Sequence, residues 1–350
     1  MPIRPEVSSL IAVLLLAGVR GLAHAGAADC PADIDGNAAV DGADLAMLLA
    51  GWGPCSDPCE ADLDGDRVIA GGDLALVLAA WGTNLELDCD CDGVPGGCDD
   101  SATMLFEFDA EHRVPGSYTQ DMLEEDWIDP PWSNGIAEGR VTVVDSGGGN
   151  RALQVAYPAG TYGTSASGAQ WKVDLGGDHD QVRLRYRLRF GEGFDFVRGG
   201  KLPGLIGGEG NTGGGVPSGE DGWSARMMWR VDGDSEQYVY HPDQPENYGD
   251  SMPWIGSDDI QVRFEPGRWH VVEHEIRMNT PGLQDGWIRC RFDGELVLDR
   301  QGMRFRDIGD FAIDGLYFST FFGGSNAEWA TTADEVVWFD DFEISAIATP

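Results

Sequence analysis

Between Val182 and Phe190 the chain alternates without a break, with apolar residues on one side and Arg183, Arg185, Arg187 and Arg189 on the other. A period of two sustained over nine residues marks a half-buried strand. Comparable runs predict strands over Trp223–Val231, Gln237–His241, Trp269–Met278, Trp287–Phe292 and Phe311–Phe318, with Asp285-Gly286 and Asp293-Gly294 as turn signals. Beyond about Met104 no stretch sustains a helical period with caps. The expected fold of residues 104–346 is therefore all-β, a two-sheet sandwich of jelly-roll type.

The first hundred residues follow another pattern. Leu10–Val19 is an apolar run of ten, about half of what spans a bilayer, behind Arg4 and ahead of the A-x-A site Ala23-His24-Ala25. Residues 1–25 read as a cleavable signal peptide, so the expected product is secreted, with no transmembrane segment. Then the segment from Cys30 repeats from Cys59 at an offset of 29 residues. In each copy oxygen-bearing side chains fall at positions 1, 3, 5 and 12 of a loop: Asp33, Asp35, Asn37 and Asp44, then Asp62, Asp64, Asp66 and Asp73. Calcium takes six to eight hard oxygen ligands, and this spacing wraps one loop around one ion. Helix formers follow, Leu45–Leu49 and Leu74–Leu78, with stops expected at Trp52-Gly53 and Trp81-Gly82. Residues 26–87 are read as this calcium-binding, α-helical module, and residues 88–103 as a Cys/Asp/Gly linker.

Charge sharpens the division. Acidic residues outnumber basic ones 60 to 23, a net charge of −37, which argues against nucleic acid as a partner. Residues 26–100 hold 17 of the acids against a single base, Arg67. Six cysteines lie between Cys30 and Cys98, where an exported chain favours disulfides. Cys30 and Cys55 bracket one repeat, Cys59 and Cys89 the other, leaving Cys91 and Cys98 for a local bridge. Cys290 alternates inward with Ile288 and Phe292 and is expected to be a buried free thiol. The four arginines of Val182–Phe190 are read as an exposed strand face paired with carboxylates, in preference to a polyanion site.

Candidate chemistry lies between Gly199 and Gly249. Lys201, one of only two lysines in the chain, ends a glycine-rich approach. In the strand from Gly222, Trp223, Ala225, Met227 and Trp229 share a core face, while Ser224, Arg226 and Arg230 share the other. Tyr238 and Tyr240 point outward together around an inward Val239. With neighbouring strands paired, one sheet face presents Lys, Ser, Arg and two Tyr. That set suits β-elimination of a polyuronate: cations stabilise the carboxylate as the C5 proton leaves, and acid–base groups handle the protons. Arg226, with Lys201 or Ser224, is expected to neutralise the carboxylate. Tyr238 and Tyr240 are expected to move protons, with a pKa lowered by the cations. No metal or redox cofactor is needed for this chemistry. The alternative is a lectin-like groove, where the same aromatics stack on sugars without reaction. No G-x-S-x-G elbow or H-E-x-x-H pair offers another catalytic class.

The repeat resembles a dockerin, with Asp in place of Glu at position 12 and with Ala38 and Arg67 where the sixth position prefers Gly. A dockerin implies two bound calcium ions and a cohesin-like or cell-surface partner. The larger part resembles polysaccharide lyase family 14, the alginate and glucuronan lyases. The matching residues are GGKLPGL from Gly199, the W-S-A-R and Y-V-Y-H strands, Tyr248-Gly249, Asn279-Thr280-Pro281-Gly282 and Phe321-Phe322-Gly323-Gly324. That resemblance implies a β-jelly roll with a groove for an acidic polysaccharide. It also implies that Lys201, Ser224, Arg226, Tyr238 and Tyr240 are the active-site residues.

Overall fold

The computed structural model describes residues 32–34, 40–55, 59, 61–63, 67–81 and 102–348. The signal-peptide and linker readings lie outside the described residues, apart from the linker's last two positions. The chain divides into two compact units at residue 100. Among the described residues no helix is long and apolar enough to cross a membrane.

In the first unit, helix α1 (Gly42–Ala50) and helix α2 (Gly71–Ala79) follow the two loops, and strand β1 (Gly53–Pro54) pairs with β2 (Val68–Ile69). The helices contain the expected Leu45–Leu49 and Leu74–Leu78 runs but stop one or two residues earlier than the Trp-Gly pairs, with caps at Gly51 and Ala80. Leu48 and Val77, one from each helix, meet Val40 and Ile69 in a small core. The two position-12 carboxylates are fully buried. Asp44 accepts the Asp41 amide at 2.8 Å, and Asp73 accepts the amides of Leu63 and Ala70, each at 2.7 Å. Asp62 accepts the Arg67 amide at 2.9 Å through Oδ2, while its buried Oδ1 has no hydrogen-bond partner. Arg67 adopts the left-handed conformation that the sixth loop position requires, φ +66°, without the glycine that usually supplies it. Asp35, Asn37, Asp64 and Asp66 lie outside the described residues. One expectation is corrected: Cys55 bonds to Cys59, its neighbour across four positions, rather than each closing its own repeat. The short connection joins the end of one repeat to the start of the next instead of bracketing either.

The second unit is all antiparallel. Its strands are β3 (Thr103–Phe108), β4 (Gly116–Ser117), β5 (Ser133–Asn134), β6 (Val141–Gly147), β7 (Asn150–Tyr157), β8 (Ala169–His179), β9 (Gln181–Phe190), β10 (Gly199–Gly208) and β11 (Gly222–Arg230). The series continues with β12 (Ser235–Tyr240), β13 (Asp250–Pro253), β14 (Trp269–Arg277), β15 (Gly286–Phe292), β16 (Glu295–Met303), β17 (Ile313–Phe322) and β18 (Glu335–Ala346). One sheet runs β13-β12-β11-β10-β17-β8-β5. The other runs β16-β15-β14-β9-β18-β7-β6-β4, with β3 added on β18. Their facing sides interdigitate around Trp127, Trp171, Tyr186, Phe190, Trp229, Phe318 and Phe342, a jelly-roll-like sandwich. Cys290 is free and buried in this core.

Three of the four β9 arginines meet carboxylates as expected, and the fourth stacks on an aromatic ring instead. Arg183 reaches Glu275 at 3.5 Å, Arg185 reaches Glu343 at 3.2 Å and Arg187 reaches Asp341 at 2.7 Å, while Arg189 stacks on Trp338. One helix was not expected in this unit, α3 (Gln120–Asp126), capped by Thr119, which accepts the Met122 amide. At seven residues it is too short to show a period, and Leu123 and Trp127 tie it to the core.

Candidate active site

Strands β10, β11 and β12 are neighbours, and their register builds the site. Lys201 lies opposite Met228, Arg226 opposite Tyr238 and Ser224 opposite Tyr240. The close approach of β10 to β11 depends on glycine: a Cβ on Gly204 would fall 2.1 Å from the Ala225 carbonyl oxygen. Alternation sends Ala225, Met227 and Val239 into the core and leaves Lys201, Arg226, Tyr238 and Tyr240 along a groove of about 450 Å³.

Lys201 is nearly buried. Its Nζ lies 3.2 Å from the centroid of the Tyr238 ring and donates to Met228 Sδ at 2.6 Å. Burial first, and then the charges of Arg226 and Arg230, hold its pKa well below the ordinary lysine value, against a smaller pull from Glu236. Arg226 is 3% exposed; its Nη1 donates to Ser319 Oγ at 3.2 Å and its Nε has no partner. Among the described residues no carboxylate lies within ion-pair distance of it. Arg230, in contrast, is held by Glu236 at 2.6 Å. The site therefore keeps one guanidinium buried and unpaired, at a cost that a bound anion would offset.

Tyr238 departs from the expected lowered pKa. Burial, followed by the influence of Tyr240, raises the Tyr238 pKa, and Arg230 and Arg226 are too weak to reverse this. The Tyr240 hydroxyl accepts the Gly214 amide at 3.1 Å, and its ring stands edge-on to that of Tyr238. Ser224 is also placed differently. It is fully buried, donates to the Asn211 carbonyl at 2.6 Å, and anchors the loop after β10 rather than lining the groove.

Among the lining residues that escaped the sequence reading are Met228, Gln170, Tyr317 and Trp329. Tyr317 donates to Gln170 Oε1 at 2.7 Å, and its ring lies 5.2 Å from the Arg226 guanidinium carbon. Met228 was legible as a member of the Ser224–Arg230 outward face. Gln170 and Tyr317 come from β8 and β17, which no local spacing connects to β11.

A family model for polysaccharide lyase 14 matches residues 145–342. The marine PL-14 alginate lyase from Aplysia kurodai is 30% identical, with 71% of this chain and 100% of that one covered and a TM-score of 0.60. Alginate lyase Aly36B is 27% identical over 68% of this chain and 95% of its own, TM-score 0.59. A double mutant of it, solved with alginate tetrasaccharide, gives 26%, 70%, 98% and 0.61. Among curated protein sequences there is no match.

Proposed function

The chain belongs to polysaccharide lyase family 14 and is a polysaccharide lyase, and we propose that it is an exported enzyme that cleaves a polyuronate, alginate or glucuronan, by β-elimination. The observation that carries this is Arg226, a buried guanidinium without a carboxylate, facing a groove beside Lys201. A uronate carboxylate supplies the missing anion. Pairing with Arg226 then stabilises the charge that builds on that carboxylate as C5 loses its proton.

Lys201 is the base in this reading. Its depressed pKa favours the neutral amine, whose lone pair takes the C5 proton. The C5–H electrons form the C4–C5 double bond, and the C4–O bond breaks. Tyr240 donates its hydroxyl proton to the departing oxygen, and Tyr238, which holds its own proton, serves as the aromatic face beneath Lys201. This reading moves the base role from the tyrosines to Lys201 and keeps Tyr240 as the acid. Ser224 acts through the loop it holds.

The full chain, incubated separately with alginate, glucuronan, pectate and hyaluronan, should release an unsaturated uronate seen by its ultraviolet absorbance on at least one of them. Binding without any such product would make the groove a lectin site. For the first unit we propose calcium, held by Asp33, Asp35, Asn37 and Asp44 in one loop and by Asp62, Asp64, Asp66 and Asp73 in the other. The orphaned Asp62 Oδ1 supports that reading, and a cohesin-like partner is the docking role that goes with it.

A further inference from the structure

On the sheet that does not carry the groove, β18 is interrupted. Asp340 pairs with Arg187 and Glu343 with Arg185, so Asp341 and Phe342 together oppose a single β9 residue, and Asp341 turns left-handed at φ +50°. Asp340 is fully buried there. Asn150 donates to its Oδ2 at 2.8 Å, but its Oδ1, equally buried, has no hydrogen-bond partner. Glu111, from the turn after β3, reaches the same place and accepts the Arg151 amide at 3.1 Å. One carboxylate oxygen each from Glu111, Asp340 and Asp341 lie within 4.8 Å of one another.

We propose that Glu111, Asp340 and Asp341 hold a calcium ion, with Asp340 Oδ1 as the innermost ligand. Calcium binds oxygen at roughly 2.3–2.6 Å, so oxygens sharing one ion stand no more than about 5 Å apart, as these do. The donor set is all carboxylate, which suits a hard cation. Arg187 reaches Asp341 at 2.7 Å and Arg151 Nη1 donates to the Glu111 main-chain carbonyl at 2.7 Å; neither donates to Asp340 Oδ1. A buried carboxylate oxygen with no donor is costly, and a metal relieves that cost where a side-chain cation does not reach. An ion here would join the turn after β3 to β18, the first and last strands of the unit, which already pair.

The test uses the full chain, stripped with chelator and then given calcium or magnesium, with hydrogen exchange followed by peptide. The first unit has calcium candidates of its own, so the readout must be local. Calcium should slow exchange in residues 103–113 and 335–346 of the wild type. Asp340→Asn, close in shape and without the charge, should fold, keep its lyase turnover and show no such change. Unchanged exchange in those two segments of the wild type would overturn the site. An Asp340→Asn variant that responds like the wild type would also overturn it, and equal protection by magnesium would overturn its assignment to calcium.

Discussion

The amine of Lys201 sits on the face of Tyr238, its Nζ 3.2 Å from the ring centroid. An aromatic face favours the ammonium form, yet the surrounding burial and two arginines outweigh it and leave the amine poised as a proton acceptor. Turnover should therefore rise with pH as Lys201 loses its proton and level off below the ordinary tyrosine range. A rise that continues through that range would return the base role to a tyrosine. kcat measured against pH on saturating substrate decides between them.

The same depressed pKa has a cost in stability. Below the ordinary lysine value of 10.5 the unfolded chain binds the proton that folded Lys201 gives up, so this residue's contribution to stability improves as pH rises towards 10.5. Lys201→Met should abolish turnover and yet stabilise the second unit at neutral pH by about 1–4 kcal/mol. The advantage should narrow as the medium becomes alkaline. Denaturant titrations of both proteins across pH would show it.

The two tyrosines should separate. Tyr240→Phe removes the proposed donor and should lower kcat by about 10²-fold or more. Tyr238→Phe preserves the ring beneath Lys201 and should stay within about tenfold of the wild type. Equal losses at both positions would mean that the phenols share the proton work.

Arg226→Lys keeps a positive charge but loses the planar fork. We expect a fall of about 10²-fold in kcat/KM, and a larger one for Arg226→Ala. Tighter folding of Arg226→Met, measured by thermal melting, would accompany the loss, since the unpaired guanidinium is buried.

Gly204→Ala should fail more broadly. Its Cβ has no room against the Ala225 carbonyl, so β10 and β11 must part. The expected result is a loss of about 3 kcal/mol or more and of all activity together, visible as a lowered melting temperature with or without substrate.

How far the molecule could be read from its sequence depended on the range of the signal. The alternation of Val182–Phe190 is local, and β9 follows it residue for residue. Lys201, Arg226, Tyr238 and Tyr240 converge because successive strands β10, β11 and β12 pair as neighbours, the simplest topology. Tyr317 was hidden because β17 inserts beside β10 from more than a hundred residues away, a crossover with no trace in spacing. The environment of Tyr238 was hidden for another reason. A list of residue types shows that cations are near a tyrosine, but not that Tyr238 is buried deeply enough for desolvation to win. The Cys55–Cys59 bond was missed because symmetry between the repeats suggested a symmetrical pairing.

Lys201, Arg226 and Tyr238 stand on three adjacent strands, locked by backbone ladders rather than carried on loops. Rungs of such a ladder repeat every 4.8 Å or so, so the backbone fixes how far apart the three side chains stand across the sheet. Loops at either end can lengthen or shorten without touching the scale. The spacing of these side chains is thus written into the backbone, and changes in the loops leave it as it is.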